Sequence, residues 1–534
     1  VLAATPTHFD ATHLLGVMML QKGDPAGAVQ QIGRAIAINP RQAIAYNNRG
    51  IALNDLKQYD NAISDFDQAI ALQPQNAEAN YNKGRAQFAA GRSVDALGSL
   101  RQAVRLRPNY PEAHQMLGTV HAAQHDQAAA LQAFDQAATL QPQWPDAHFN
   151  RGSALAELQR PHDALAAFDK AIALNPSHAD ALNNRGNVLR LLKRYDEALA
   201  DFTRAAQARP GFVGAEVNKA MVLMALGRMK EGWPAYEWRF LSPELAPLPQ
   251  RFTQPRWTGA EDVADKTLLL VAEQGLGDTL QFCRYARLAA DKGARVILEV
   301  QPPLKRLLSS LDGVSAVYAD NEPLPPVDFY CPMLSLPLAF NTVVNSVPSA
   351  PYLKADAAQT AEWARRIADE SSLRVGLVWA GSPRKNMPQA HAIDKKRSLH
   401  LSAFKPFADI QGVRFFSLQK GEPATQLTEM QAAMWGGPAI IDHTDQLNDF
   451  ADTAALVANL DLIITCDTSV AHLAGGLGKP VWILNRTDGC WRWLHGRTDT
   501  PWYPSAKLFQ QQTPGEWGDV IAAAARELRV TVAG

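Results

Sequence analysis

A proline recurs every 34 residues over the first 210 positions of this chain. The positions are Pro6, Pro40, Pro74, Pro108, Pro142, Pro176 and Pro210. A glycine keeps the same spacing at Gly16, Gly50, Gly84, Gly118, Gly152 and Gly186. Each period also carries two alanines around one large apolar residue, which is Ile32, Phe66, Leu100, Phe134, Phe168 or Phe202. A fixed period of this length predicts stacked helical pairs, with proline ending the second helix of each pair.

The array resembles the tetratricopeptide repeat, both in its period and in its alternation of small and large residues. Small residues let two antiparallel helices approach, and the large residue fills the space toward the next repeat. A degenerate seventh unit begins at Val213, with Ala220 in the place of the glycine. Its aromatic residues Trp233, Tyr236 and Trp238 are expected to cap the solenoid and to dock it to the domain that follows.

Asparagines stand two residues before most of the repeat glycines, on the helix that lines the concave face in this repeat family. They are Asn48, Asn82, Asn150, Asn184 and Asn218. A carboxamide offers one acceptor and two donors in a fixed plane, so a row of them can hold an extended peptide backbone. The row resembles the asparagine ladder of O-linked N-acetylglucosamine transferases, which implies a protein or peptide acceptor in this groove. The alternative is that these side chains bond only within their own repeats and face water.

Composition excludes several classes of protein. The 52 basic and 53 acidic side chains give no basic footprint for nucleic acid and no patch for a membrane surface. Four scattered cysteines without a CxxC pair predict reduced thiols in a cytoplasmic protein. No apolar run approaches the ~18 residues that span a bilayer. Because Pro6 lies where a second helix should end and the chain opens at Val1, we expect repeats upstream of this sequence.

The second half has a different period, with short β-branched runs that alternate with helical segments. The runs are TLLLVAE, ARVILEV, VDFYCPM, RVGLVWAG, VRFFSLQ, LDLIITCD and PVWILN. Such alternation predicts parallel sheets covered by helices on both faces. A helical bridge near residues 357–372 divides this half into two sub-domains. Ligands of such folds bind in the crevice at the carboxyl ends of the strands.

Two strand-to-helix junctions carry polar and glycine residues suited to a site. At the first, Gly275 and Gly277 permit a tight turn, Asp278 is expected at the N-cap of the next helix, and Glu273 lies in the same turn. At the second, a strand leads into a helix start, where free amide groups bind phosphate well. Its residues are Asp467, Thr468, Ser469 and His472.

A third junction opens from a strand into a glycine-serine turn, Gly381 and Ser382. A basic loop follows, in which Lys395, Lys396 and Arg397 are available to neutralise a diphosphate. The alternative for these three cations is a solvated loop.

The order of the three junctions, GLGD, KKR and DTSVAHLAGGLGKP, resembles bacterial glycosyltransferase family 9, whose members have the GT-B fold. The resemblance spans roughly residues 265–490. It implies that Asp278 is the catalytic base, that Lys396 binds the donor phosphate and that residues 467–472 form the phosphate site. Glu273, in the same turn, is the alternative base.

The tail GCWRWLHGRTDTPWYPSAKLFQQ departs from the lipopolysaccharide enzymes of that family. Together with EGWPAYEWRF, it resembles repeat-fused transferases that include flagellin protein O-glycosyltransferases. Trp491, Trp493 and Trp502 are then expected either to stack on a sugar at the cleft rim or to seal the last helix.

We therefore predict an α-solenoid, a tetratricopeptide superhelix, followed by an α/β GT-B fold of two Rossmann-like sub-domains. The predicted boundaries are 1–240 for the solenoid, 241–264 for a linker, 265–356 for the acceptor sub-domain and 357–534 for the nucleotide-sugar sub-domain. The predicted activity is inverting, metal-independent transfer of a sugar from a UDP- or CMP-linked donor to serine or threonine, without a further cofactor. A glycolipid transferase and a non-catalytic peptide scaffold are the alternatives.

Overall fold

The computed structural model describes residues 2–3, 5–368, 372–433, 436–437 and 439–533. The chain divides into two compact units, which are described separately below. The first comprises residues 1–192 and 200–210, and the second comprises residues 193–199 and 211–534. Among the described residues, no helix has both the length and the apolar character needed to cross a membrane.

The first unit consists of helices joined by short turns, and each of the first five odd-numbered helices packs against the even-numbered helix that follows it. The bounds are α1 Phe9–Gln21, α2 Pro25–Ile38, α3 Ala43–Asp55, α4 Tyr59–Leu72, α5 Ala77–Ala89, α6 Ser93–Leu106, α7 Pro111–Ala123, α8 Gln127–Leu140, α9 Pro145–Glu157, α10 Pro161–Leu174, α11 Ala179–Leu191 and α12 Tyr195–Ala208. Helix α12 begins in the short segment assigned to the second unit.

Close contact at the repeat glycine explains the small-to-large pattern of the sequence. A Cβ added at Gly50 would lie 2.6 Å from the ring of Phe66, and one at Gly118 would lie 2.5 Å from the ring of Phe134. Both rings are almost fully buried, so they have no space to withdraw. The glycine is therefore required by the approach of the two helices in each pair.

Ion pairs between residues 16 positions apart join the first helix of a repeat to the second helix of the same or the preceding repeat. The basic residue just before the glycine pairs with an aspartate 16 positions away, as in Arg49–Asp65 at 2.7 Å and Arg151–Asp135 at 2.6 Å. Arg185 pairs with aspartates of two successive second helices. Sequence reading missed these pairs, although the recurring basic residue and its fixed spacing are visible in the sequence.

The second unit begins with two further helices and continues as an α/β fold. Its helices are α13 Val213–Ala225, α14 Met229–Tyr236, α15 Pro247–Gln250, α16 Leu276–Phe282, α17 Tyr285–Asp291, α18 Lys305–Leu308, α19 Leu336–Ala339, α20 Ala357–Arg366, α21 Pro388–Arg397, α22 Gln426–Ala433, α23 Phe450–Ala458, α24 Ser469–Gly476 and α25 Gly518–Ala533. Its strands are β1 Thr267–Val271, β2 Arg295–Val300, β3 Val314–Ala319, β4 Phe329–Pro332, β5 Leu373–Val378, β6 Val413–Ser417, β7 Ile441–Asp442, β8 Leu462–Cys466, β9 Val481–Asn485 and β10 Ala506–Gln510.

The strands form two sheets in which every pairing is parallel, with the orders β3-β2-β1-β4 and β10-β9-β8-β5-β6-β7. This arrangement confirms the predicted solenoid followed by an α/β part with parallel sheets. Each of the seven predicted runs contains a strand. Strands β3, β7 and β10 were not predicted.

Candidate functional site

The turn after β1 and the turn after β8 lie side by side, because α16 packs against α24. A Cβ added at Gly277 would lie 2.9 Å from the His472 ring and 3.5 Å from the Cα atom of Ser469. The carboxyl ends of the central strands of both sheets therefore meet at one place. Crevices of this kind hold the ligands of open α/β folds.

The segment Gly275–Asp278, called the GLGD turn here, has its helix boundary earlier than the sequence suggested. Helix α16 starts at Leu276, Gly275 is its N-cap, and Asp278 is the third residue of the helix. The prediction that Asp278 is the N-cap residue is therefore wrong. The carboxylate still caps the helix start, because Oδ2 accepts a 2.9 Å hydrogen bond from the Gly275 N–H.

Two glutamine side chains hold the backbone just before the turn. Gln301, at the end of β2, donates to the carbonyl oxygen of Gln274 at 2.8 Å and accepts from the Thr279 hydroxyl at 2.9 Å. Gln274 in turn donates to the Tyr236 hydroxyl at 3.1 Å. These contacts fix the turn against its own sheet.

Glu273 is held in a buried ion pair with Arg239. Arg239 donates from Nε and Nη2 to the two carboxylate oxygens of Glu273, at 2.8 and 2.9 Å. The Leu334 N–H donates a further bond to Glu273 at 2.9 Å. The Glu273 side chain is 0% exposed. With both oxygens engaged and no exposed surface, this carboxylate has no path to a substrate hydroxyl.

Asp278 has a different setting from Glu273. Its Oδ1 accepts a short hydrogen bond from Nη2 of Arg492, which lies 214 residues later in the chain. The Asp278 side chain is 19% exposed, so this carboxylate reaches solvent while Glu273 does not. Arg239 and Arg492, which sequence reading missed, each follow a tryptophan in the two aromatic motifs EGWPAYEWRF and GCWRWLHG.

Arg492 remains charged in its buried position. Burial works against the charge, but the Asp278 carboxylate, with smaller contributions from Cys490 and Tyr236, outweighs it and raises the pKa of Arg492. The guanidinium lies over the Trp491 ring at 4.4 Å, a cation–π contact.

The second junction has the predicted local structure. Helix α24 starts at Ser469, with Thr468 as the N-cap residue in an extended conformation. The Thr468 side chain does not cap the helix, because its hydroxyl lies 3.0 Å from the hydroxyl of Thr465. Asp467 and Ser469 are partly exposed. The first amides of such a helix have no intrahelical acceptor, which suits an anion.

His472 is packed rather than open to the cleft. It is 5% exposed, stacks on Trp493 with ring centroids 5.2 Å apart, and has Nδ1 2.9 Å from the Tyr503 hydroxyl. Burial, reinforced by three nearby arginines, holds its pKa well below the ordinary value of 6.5; they are Arg492, Arg284 and Arg397. A neutral, enclosed imidazole offers no charge to a phosphate.

The third junction differs from the sequence prediction in one respect. Residues 395–397 end helix α21 and do not form a loop, so the predicted basic loop is wrong. Lys396 is exposed, whereas Arg397 donates to the Asp467 carbonyl oxygen at 2.7 Å. A Cβ added at Gly381 would lie 2.8 Å from the Arg397 guanidinium, and Ser382 is exposed beside it.

Arg397 is therefore the cation that this junction brings to the end of β8. It also pairs with Asp394, which is 2% exposed and bonds Arg384 as well. The Nε atom of Arg397 is buried and has no hydrogen-bond partner within the described part of the chain.

The three tryptophans of the tail lie inside the protein. Trp491 is 6% exposed, and Trp493 and Trp502 are fully buried. Of the two alternatives for these side chains, stacking on a sugar at the cleft rim does not fit their burial. Trp491 makes an edge contact with Trp233 at 5.4 Å between ring centroids, and Trp502 makes one with Phe282 at 5.5 Å.

The repeat asparagines make hydrogen bonds between neighbouring repeats. Asn82 donates to Asn47 at 3.1 Å, and Asn48 lies 3.0 Å from His13. Asn184 donates a longer bond to Ser153 at 3.4 Å. Each carboxamide has two N–H groups and one acceptor, so these bonds leave capacity for a backbone.

The remaining two asparagines differ in position. Asn150 is partly exposed in the first unit. Asn218 lies on α13 in the second unit and is also partly exposed.

The chain is similar to a curated protein over part of its length. Protein FlbA of Caulobacter vibrioides is 29% identical over 332 residues, which cover 57% of this chain and 53% of FlbA. The chain thus spans about half the length of that relative.

Solved structures match the helical repeats. YrrB, described as a TPR protein with an unusual peptide-binding site, is 26% identical, and the match covers 34% of this chain and 95% of YrrB at a TM-score of 0.31. The pilF protein of Pseudomonas aeruginosa is 21% identical over 40% of this chain and 96% of its own, at a TM-score of 0.36. The tetratricopeptide repeat family model matches residues 13–77, 55–111, 81–148, 115–174 and 149–211. Residues 13–211 are therefore an array of tetratricopeptide repeats.

Proposed function

We propose that this chain is a protein O-glycosyltransferase, in which the α/β fold uses a nucleotide-sugar donor and the repeats hold a polypeptide acceptor. The observation that carries the proposal is the close contact between Gly277 and the start of α24. It brings a partly exposed carboxylate, Asp278, next to the helix start at Ser469. A base and an anion site side by side are what a displacement at a phosphate-linked sugar requires.

In this mechanism Asp278 accepts the proton of a serine or threonine hydroxyl. The hydroxyl oxygen forms a bond to the anomeric carbon as the bond from that carbon to the donor phosphate oxygen breaks. The bonding electron pair leaves with the phosphate, and the configuration inverts. The amides of Ser469 and the next residue, with Arg397, stabilise the charge on the departing phosphate.

Four of the predicted site residues take altered roles in this proposal. Glu273 anchors the GLGD turn, because its carboxylate is occupied by Arg239. Arg397 takes the phosphate role that the family resemblance gave to Lys396. His472 sets the spacing between α16 and α24, since its ring contacts both Gly277 and Trp493. Gly275, Gly277, Gly381, Ser382, Asp467, Thr468 and Ser469 remain proposed donor contacts.

The acceptor groove is proposed from the first unit alone. Its tetratricopeptide repeats and its partly exposed Asn48, Asn150 and Asn184 support the binding of an extended peptide. Asn82 is 6% exposed, so its part in that groove is to align Asn47.

Nucleotide release tests the proposal without knowledge of the acceptor. The protein is incubated with a panel of UDP- and CMP-linked sugars, and free nucleotide and the melting temperature are measured. We expect one donor to be cleaved slowly and to raise the melting temperature, as saturating ligand at 100 times Kd stabilises by about 2.7 kcal/mol.

The second candidate function is a peptide-binding scaffold without catalysis. The observation that favours it is the pairing of both carboxylates near the turn with arginines, which a non-catalytic fold would also tolerate. Peptide binding by the repeats, with no nucleotide bound or cleaved from any donor in the panel, would select this alternative.

A further inference from the structure

Two tryptophan-arginine segments converge on the GLGD turn from distant parts of the second unit. Arg239 reaches Glu273 and Arg492 reaches Asp278. Each carboxylate thus has its own arginine, yet the two pairs differ in how completely the arginine is used. That difference indicates two different tasks.

The Arg239 pair is closed. Besides Glu273, Arg239 donates to the Tyr236 carbonyl oxygen at 3.1 Å, to Glu237 at 2.7 Å and to the Ser335 hydroxyl at 2.7 Å. The Arg239 side chain is 3% exposed and that of Glu273 is 0% exposed. Every nitrogen has a strong acceptor, so no donor is left for a ligand.

The Arg492 pair is open. Nη2 donates to Asp278, while Nη1 donates to the Cys490 sulfur at 2.8 Å, a weak acceptor. Nε is buried and has no hydrogen-bond partner among the residues that the structure describes. The Arg492 side chain is 10% exposed and the whole residue is 8% exposed. A buried guanidinium with unused donors gains free energy from a better acceptor, and a phosphate oxygen is the strongest one available in biology.

The position of Arg492 places it near the proposed phosphate site. His472, one turn into α24, is under the electrostatic influence of both Arg492 and Arg397. Cys490 is under the influence of both Arg492 and Asp467. The ionisable groups that interact with Arg492 are Asp278, Cys490, Tyr236 and His472, and among the described residues Asp278 is the carboxylate that it bonds.

We propose that Arg492 links donor binding to release of the base: the donor phosphate takes the guanidinium from Asp278 and leaves Oδ1 of Asp278 free for the acceptor hydroxyl. The inference rests on the proposed function and adds an order of events to it. Before the donor binds, Oδ1 is occupied by Arg492 and Oδ2 by the Gly275 N–H. After the donor binds, one oxygen is available to take a proton. The acceptor hydroxyl is thus activated only when a donor is present.

Because phosphate and Asp278 compete for one guanidinium, Asp278→Asn should strengthen nucleotide binding rather than weaken it. Removing the carboxylate charge frees Arg492 for phosphate, so the affinity for the nucleotide should rise by several-fold. Arg492→Lys should weaken nucleotide affinity by about tenfold or more, because an ammonium cannot offer a planar fork. Arg374→Gln, which removes the ion pair between Arg374 on β5 and Asp461, is the control and should leave affinity unchanged.

The experiment measures the binding of UDP and of CMP by calorimetry to the wild type, Asp278→Asn, Arg492→Lys and the double variant. In the double variant the gain from Asp278→Asn should disappear, because it acts through Arg492. A gain of equal size in both backgrounds would mean simple charge repulsion and would overturn the inference. So would nucleotide affinity in Arg492→Lys within about twofold of the wild type.

The results distinguish a failure of this inference from a failure of the proposed function. If the wild type binds neither nucleotide and cleaves no donor, both fail together. If the wild type binds and cleaves a donor while Asp278→Asn leaves affinity unchanged, only the role of Arg492 fails. Asp278→Asn keeps a hydrogen-bond acceptor for Arg492, so this arm remains available even where Arg492 variants fold poorly.

Discussion

Gly277 follows a strand of the four-stranded sheet and His472 follows a strand of the six-stranded sheet, and they touch so closely that a Cβ at residue 277 would lie 2.9 Å from the imidazole. Gly277→Ala should therefore push α16 and α24 apart or twist the ring, at a cost of about 1–3 kcal/mol. We expect a lower melting temperature and weaker nucleotide binding. For the melting temperature, Gly275→Ala is the matched control, because φ is −76° there and the nearest group is the Asp278 carboxylate at 3.3 Å. Equal effects of the two substitutions would argue against the contact.

Glu273→Gln should lower the free energy of unfolding, because Glu273 has a structural role and is not the catalytic base. The change removes the charge of the buried carboxylate that accepts two Arg239 bonds. Breaking a buried pair typically costs about 3–5 kcal/mol, and we expect a smaller loss because Glu237 still pairs with Arg239. Urea unfolding of the second unit, followed by tryptophan fluorescence, measures this loss. A variant that unfolds like the wild type but has lost sugar transfer would return Glu273 to the role of base.

The structure favours Arg397 as the phosphate ligand, whereas the family resemblance implied the adjacent Lys396, and substitution of each residue distinguishes the two. Arg397→Gln should weaken nucleotide binding by about tenfold, since the guanidinium lies against the Gly381 turn and the end of β8. Lys396→Gln removes the same charge one residue earlier, from an exposed position, and should change the affinity little. Calorimetry with UDP and CMP measures both; the reverse order of effects would restore Lys396 as the phosphate ligand.

The repeat asparagines should divide into two groups. Asn82→Ala removes a buried bond to Asn47 and should lower the melting temperature of the repeats by a few degrees. Asn150 makes no side-chain hydrogen bond within the described part of the chain, so Asn150→Ala should leave stability unchanged. It should raise KM for the polypeptide acceptor without changing donor cleavage by water. If Asn150→Ala leaves KM unchanged, the groove does not use this carboxamide.

Acid should destabilise the α/β fold through His472. Its folded-state pKa lies well below 6.5 because of burial, so the unfolded state binds the proton first as the pH falls. Stability is therefore present above about pH 6.5 and is lost below it, by at most about 1.4 kcal/mol per pH unit until the folded-state pKa is reached. His472→Gln should flatten this part of the pH profile of urea unfolding. The same slope in both proteins would assign the pH dependence to other groups.

Local patterns carried most of the fold prediction. The repeat glycines and the β-branched runs depend on neighbours within one helical pair or one strand, so period and composition report them. Strand β10 was missed because its five residues lie at the end of the aromatic tail, which has no run of β-branched residues, and β7 because it has only two residues. Such short strands exist through pairing with their neighbours, which the sequence does not display.

The site was less predictable, because its decisive contacts join distant positions. Arg239 is 34 residues from Glu273, and Arg492 is 214 residues from Asp278. No periodicity links such pairs. Lys396 and Arg397 are consecutive residues of one helix, and consecutive side chains point in directions about 100° apart. Which of the two reaches the phosphate site therefore depends on the exact position of the helix, which the sequence does not give.

The most direct measurement of the central claim is sugar transfer to a polypeptide, read as intact mass. A library of serine- and threonine-containing peptides is incubated with each UDP- and CMP-linked sugar and with the wild type or Asp278→Asn. With the wild type, we expect a mass gain of one sugar on a serine or threonine. With Asp278→Asn, we expect a transfer rate lower by roughly 10² to 10⁴, while nucleotide still binds. No transfer from any donor, or transfer by Asp278→Asn within a few-fold of the wild type, would contradict it.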